Sequence, residues 1–208
     1  MDSSCRRSPV LARFLASMSL DVERWRDGDS YDLRALEALP TPERTEVLHI
    51  LAERLTGPGD WSDVDALAVV RTPAADTLLE NCLRHANVVI RLRAGRRLAD
   101  RGAPEALEQE LLAVLGDPDT DAPIEMTMRF AKEYPTAAVR RALLHCSVEG
   151  APHLRSHAAA LSLFLAGRAA EPFDWAHRSL FLQFGEEDRS VRLAARQDLR
   201  RLLGDTGD

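Results

Sequence analysis

The chain has 208 residues, a formal net charge of −6, and 45% hydrophobic residues of which few are aromatic. That length can bury a core without disulfide or metal staples. The acidic balance argues against general affinity for nucleic acid or anionic membranes and suits a basic protein partner. Leu, Ala and Val dominate the apolar fraction, which favours closely packed helices over a sheet sandwich.

The cationic charge is almost all arginine, Lys132 being the single lysine, so the surface is rich in planar donors that hold carboxylates bidentately. Cys5, Cys82 and Cys146 are odd in number and widely spaced, unlike a secreted disulfide framework. The stretch Val10 to Leu20, interrupted by Arg13, is too amphipathic for a signal peptide. The apolar run Ala158 to Ala166 is too short to span a bilayer. The expectation is a cytoplasmic protein.

Residues 1–40 show a turn at Asp27-Gly28-Asp29-Ser30 and a short amphipathic segment at Leu33-Leu36-Leu39. They fit an N-terminal helical cap, distinct from residues 41–208. From Thr41 the helical period recurs with regular punctuation. Thr41-Pro42-Glu43 opens a helix that Gly57-Pro58-Gly59 closes, and Asp60-Trp61-Ser62-Asp63 opens another running to about Arg71. Thr72-Pro73 starts a helix ending near His85, Asn87 caps one closed by Gly102, and Pro104 starts one closed by Gly116. Further helices are expected at 122–133, 135–148, 152–166, 173–184 and 188–203. Helices this short, joined this tightly, pack as antiparallel hairpins.

One pattern recurs: Val64-Asp65-x-x-Ala68, Ile90-Arg91-x-x-Ala94 and Val191-Arg192-x-x-Ala195, with the last two stripes continuing to Leu98 and Leu199. A branched residue, a small Ala and a Leu on one face let a partner helix approach closely at the Ala. This resembles the second helix of a HEAT repeat, as also found in phycobilin-lyase-like HEAT proteins. The nearest unit is His85 to Asp119, with weaker likeness from Pro42 to Leu203. The resemblance implies an all-α fold, a right-handed α-solenoid of about four to five antiparallel helix pairs whose first residues form a cap.

Three constellations carry candidate function. Asp60, Trp61, Asp63 and Asp65 cluster at one helix entrance with Glu80 on the neighbouring helix, and Trp175 stands at another entrance in Glu171-Pro172-Phe173-Asp174-Trp175. A Trp ringed by carboxylates can anchor a basic partner, or else simply pack over its own helix pair. In that setting Trp61→Ala and Asp63→Arg are expected to weaken partner binding without unfolding the chain. Arg93, Arg96, Arg97, Arg192, Arg196 and Arg200 could line a basic concave face, or form salt bridges between repeats. His153 and His157, with His145 and Cys146, and the pair Cys82 and His85, have spacing compatible with zinc. With no His-Glu-x-x-His and no Cys-x-x-Cys, no metal or other cofactor is expected.

No nucleophile elbow or phosphate-cradling glycine loop is present, and the expectation is a protein that is not an enzyme. The first functional expectation is a protein-binding scaffold, and most specifically an immunity protein that neutralises a basic bacterial toxin domain. A nucleic-acid-binding protein or DNA glycosylase using the arginine face is the principal alternative. An adaptor, an assembly chaperone or a bilin-lyase-like protein would share the same architecture.

Overall fold

A computed structural model describes residues 7–19 and 30–204. Among them are twelve α-helices and no strand. The expected turn at Asp27-Gly28-Asp29, and Cys5, lie outside the described residues. The chain divides into two compact units, Met1–Gly102 and Ala103–Asp208.

The first unit holds α1 (Pro9–Ser17), α2 (Leu33–Glu37), α3 (Thr41–Thr56), α4 (Trp61–Val70), α5 (Pro73–Cys82) and α6 (Val88–Ala99). Their starts are written locally. The side chains of Ser8, Asp32, Asp60, Thr72 and Asn87 each accept a hydrogen bond from a first-turn backbone N–H, and proline opens α1, α3 and α5 within the first two positions. Sequential packing then runs through the unit, with α3 against α4, α4 against α5, α5 against α6, and next-but-one contacts of α3 with α5 and α4 with α6. The small α1 and α2 pack on each other, and α2 also contacts α4. Leu11 and Phe14 of α1 are fully buried, and Phe14 meets Tyr31 edge to face at 6.1 Å. Gly59, at φ +55°, makes the turn into α4 in a backbone region that residues with a Cβ rarely adopt, and an added Cβ there would come within 2.9 Å of the tip of the Ile90 side chain.

The second unit holds α7 (Pro104–Gly116), α8 (Ile124–Glu133), α9 (Ala137–Glu149), α10 (Pro152–Leu165), α11 (Arg178–Gln183) and α12 (Arg189–Leu203). Here too packing is mostly between near neighbours in sequence: α7 with α8 and α9, α8 with α10, α9 with α10, α10 with α11 and α12, and α11 with α12, while α9 also reaches α12. Ala158, Ala159, Ala160 and Ala195 are all fully buried, and their lack of bulk lets neighbouring helices approach α10 on several faces and α12 closely. Leu163, Phe181, Phe184 and Leu199 fill the remaining core. The helix expected at 173–184 is divided: Asp174 caps a single 3-10 turn, Trp175–His177, and α11 follows.

One arginine device recurs in both units. Arg44, Arg91, Arg140, Arg155 and Arg192 each occupy the fourth position of their helix. Each donates to the carbonyl five residues before it, at Leu39, Ala86, Pro135, Gly150 and Glu187, over 2.7–3.1 Å. A cation near a helix N-terminus opposes the macrodipole. The charge-assisted bonds to carbonyls of the incoming loop offset that cost and fix the angle at which the chain enters the helix. The residue three positions later, Val47, Ala94, Leu143, Ala158 or Ala195, is fully buried in every case.

Candidate partner-binding surface

In the first unit the acidic-aromatic and basic candidates meet one another. Asp60 and Asp63 form a reciprocal capping box at the start of α4, Asp60 accepting from Ser62 N–H and Asp63 accepting from Asp60 N–H, each at 2.8 Å. Asp63 is completely buried. Its Oδ1 also accepts from the Tyr31 hydroxyl at 2.7 Å and from Arg54 Nε at 2.8 Å, and Arg54 donates onward to the Tyr31 oxygen at 3.0 Å. Burial first, then the bond donated to Asp63, pushes the Tyr31 phenol above its ordinary range.

Asp65, on the same helix, accepts from Arg97 Nε at 2.9 Å and lies 3.6 Å from an Arg93 nitrogen. The Arg93 guanidinium sits 4.7 Å from the centre of the half-buried Trp61 ring, a cation–π contact that uses the ring face. Arg96 pairs with Asp100 one turn away. Glu80 is exposed on α5. The cluster at the α4 entrance therefore binds α4 to α6 and to Tyr31.

In the second unit Arg192 is only 6% exposed, not solvent-facing as a ladder member would be. Its guanidinium donates to the carbonyls of Val148, Glu186 and Glu187 at 2.7–2.9 Å. Arg196 is half-buried and Arg200 exposed on α12. The α6 and α12 arginines belong to different compact units.

Trp175 differs from all of these, being 70% exposed. Its segment is held from both ends. The Asp174 carboxylate accepts from Ala170 N–H at 3.0 Å and Ala176 N–H at 2.9 Å, bonds that hold its carboxyl below the ordinary carboxylate range. Beneath the segment, Phe173 makes tilted ring contacts with Phe181 and His157, each with ring centres 5.1 Å away. Burial, and secondly the charge of His153, lowers the His157 pKa from its ordinary value. On the outer side, Arg178 lies 5.2 Å from the Trp175 ring centre, and Leu182 is 49% exposed. Trp175 stands in the 3-10 turn and contacts Arg178, which lies one α-helical turn from Leu182 on α11, so the three exposed side chains form one outward stripe while Phe181 and Phe184 face the core. Glu171, Glu186, Glu187 and Asp188 are exposed in the flanking segments.

The histidine and cysteine fragments have structural partners. His153 Nε2 contacts the Ala122 carbonyl at 3.0 Å, and His85 bridges Gly57 O and Asn87 N–H, each at 3.0 Å. Accepting at Nδ1 fixes His85 as the Nε2–H tautomer. Burial pushes the Cys82 thiol up to about 11 and the Cys146 thiol to about 12. No group of three or more metal-ligating side chains is found among the described residues. No helix among them is long and apolar enough to cross a membrane.

Comparison with protein families, curated proteins and solved structures finds no match to this chain.

Proposed function

We propose that this protein is a non-enzymatic protein-binding module whose docking surface is the Trp175–Arg178–Leu182 stripe. The observation that carries the reading is a tryptophan 70% exposed on a segment braced by Asp174 and the ring contacts of Phe173. Exposing so large an apolar ring on a rigid support keeps the ordering cost of association low, and Trp and Arg are favoured anchors at interfaces. Net charge of −6, with exposed acids flanking the stripe, favours a basic protein by electrostatic steering. In its most specific form the partner is a bacterial toxin domain and this chain its immunity protein, acting by occlusion from the cytoplasm.

The architecture we propose for each unit is HEAT-like helix pairing. Sequential packing within each unit and the recurring fourth-position arginine support it. The nucleic-acid alternative is weakened because Arg93 and Arg97 are paired with Asp65 and Arg192 is held by backbone carbonyls.

The test is affinity capture from lysate of the source cells with wild-type and Trp175→Ala baits in parallel. The expected result is one stoichiometric basic protein, released by moderate salt and absent from the Trp175→Ala bait. Recovery of nucleic acid alone, or of the same protein equally on both baits, overturns the reading.

A further inference from the structure

We propose that the cleft at the C-terminal end of α4 is a binding site for a multivalent oxyanion, a phosphoryl or polycarboxylate group, held between the guanidiniums of Arg71 and Arg101. The inference is independent of the protein-binding reading and lies wholly within the first unit.

The cleft has a volume of about 500 Å³ and is lined by Ala68, Arg71, Asp76, Arg97, Asp100 and Arg101. Three arginines against two aspartates leave it one positive charge in excess. The arginines are not equivalent. Arg97 is held by Asp65 at 2.9 Å. Arg101 pairs with Asp76 and donates to the Ala68 carbonyl at 2.8 Å. Arg71 is exposed and has no ion-pair partner among the described residues. Arg71 is also near enough to Arg101 that its charge, after the larger effect of burial, lowers the Arg101 pKa. Asp76 is engaged by Arg101, and Asp100 by Arg96 and Arg97, so of the guanidiniums lining the cleft Arg71 is the one whose charge no carboxylate there offsets.

The backbone adds a separate observation. Arg71 is the only non-glycine among the described residues with positive φ, at φ 47° and ψ 51°. The left-handed region is unfavourable for a residue with a Cβ, and such outliers concentrate at functional sites. Glycine would suit this helix end better, yet only a long cationic side chain brings a second fork to Arg101. An ion with oxygens on two sides satisfies both forks and removes their mutual repulsion. A lone carboxylate would only replace Asp76. The cleft is larger than a phosphate ion, leaving room for the body of a small ligand.

The test is thermal melting of the full chain at constant ionic strength in chloride, inorganic phosphate or citrate, using wild type and Arg71→Gly. Phosphate and citrate raise melting temperatures generally by exclusion from protein surfaces, so the criterion is a saturable rise that the variant lacks. In the wild type a saturating rise of about 5 °C is expected. A response to phosphate alone assigns a phosphoryl ligand, and a response to citrate a polycarboxylate. Arg71→Gly relieves the left-handed strain and is expected to fold, melting above wild type in chloride and showing only the unsaturable drift. No saturable response in the wild type, or one undiminished in Arg71→Gly, overturns the proposal.

Discussion

Asp63 is a completely buried carboxylate, and its three donors decide what its replacement does. Asp63→Ala leaves the Tyr31 hydroxyl without its acceptor and Arg54 unpaired. Arg54 is 41% exposed and can rehydrate, which keeps the loss near the lower end for a broken buried pair, about 3 kcal/mol in a denaturant titration. Asp63→Arg places a second cation beside Arg54 in the core and is expected to unfold the unit, contrary to its reading as a surface substitution. His157 gives a pH dependence of definite sign. Its pKa is lowered in the folded chain, so the unfolded chain binds the proton first. Stability is therefore full above the ordinary histidine value of 6.5 and falls as pH drops from there through the folded value. His157→Phe, which keeps the contact with Phe173, is expected to flatten that part of a stability–pH profile; an unchanged slope assigns it to another group.

At the scale of the helix, the arginine in the fourth position and the fully buried apolar residue three places on act together. Arg192→Lys keeps the charge, but a single ammonium cannot span the carbonyls of Val148, Glu186 and Glu187, and a loss of about 1–2 kcal/mol is expected by chemical denaturation. Ala94 is fully buried on α6, and Ala94→Leu should overpack its contacts by about 1–3 kcal/mol. Unchanged stability would contradict close approach at that residue. Helix positions were legible in the residues because caps are local: Thr72-Pro73 and Asn87 each fix a boundary with their own side chain or ring. The role of the arginines was not. Asp65 and Arg97 are 32 residues apart, and a periodic pattern places both on helix faces without showing that the faces meet. Arg192 reads as an exposed cation until its side chain is seen to fold back on its own loop. Two candidate surfaces read separately, around Trp61 and along Arg93 and Arg97, proved to be the two sides of one contact. For the 173–184 segment, Asp174 could be placed as a cap. The sequence offered no signal that its turn would be 3-10 and would display Trp175 instead of burying it.

For the molecule as a whole, the acidic charge and the arginine-rich composition have different destinations. Arginines are used largely within the fold, on loop carbonyls and neighbouring carboxylates, so a net charge of −6 is compatible with few arginines free to attract nucleic acid. Trp175 and Leu182 stand outside that internal pairing. Trp175→Ala and Leu182→Ser are expected to leave melting unchanged while weakening the captured partner, Trp175→Ala by about 2 kcal/mol, roughly thirtyfold in Kd. The most direct test is amide hydrogen exchange on the free chain and on its complex with the captured partner. Slowed exchange across residues 173–184 on binding is the result predicted for a docking stripe. Protection confined to the α4 and α6 region, with none around Trp175, would contradict it.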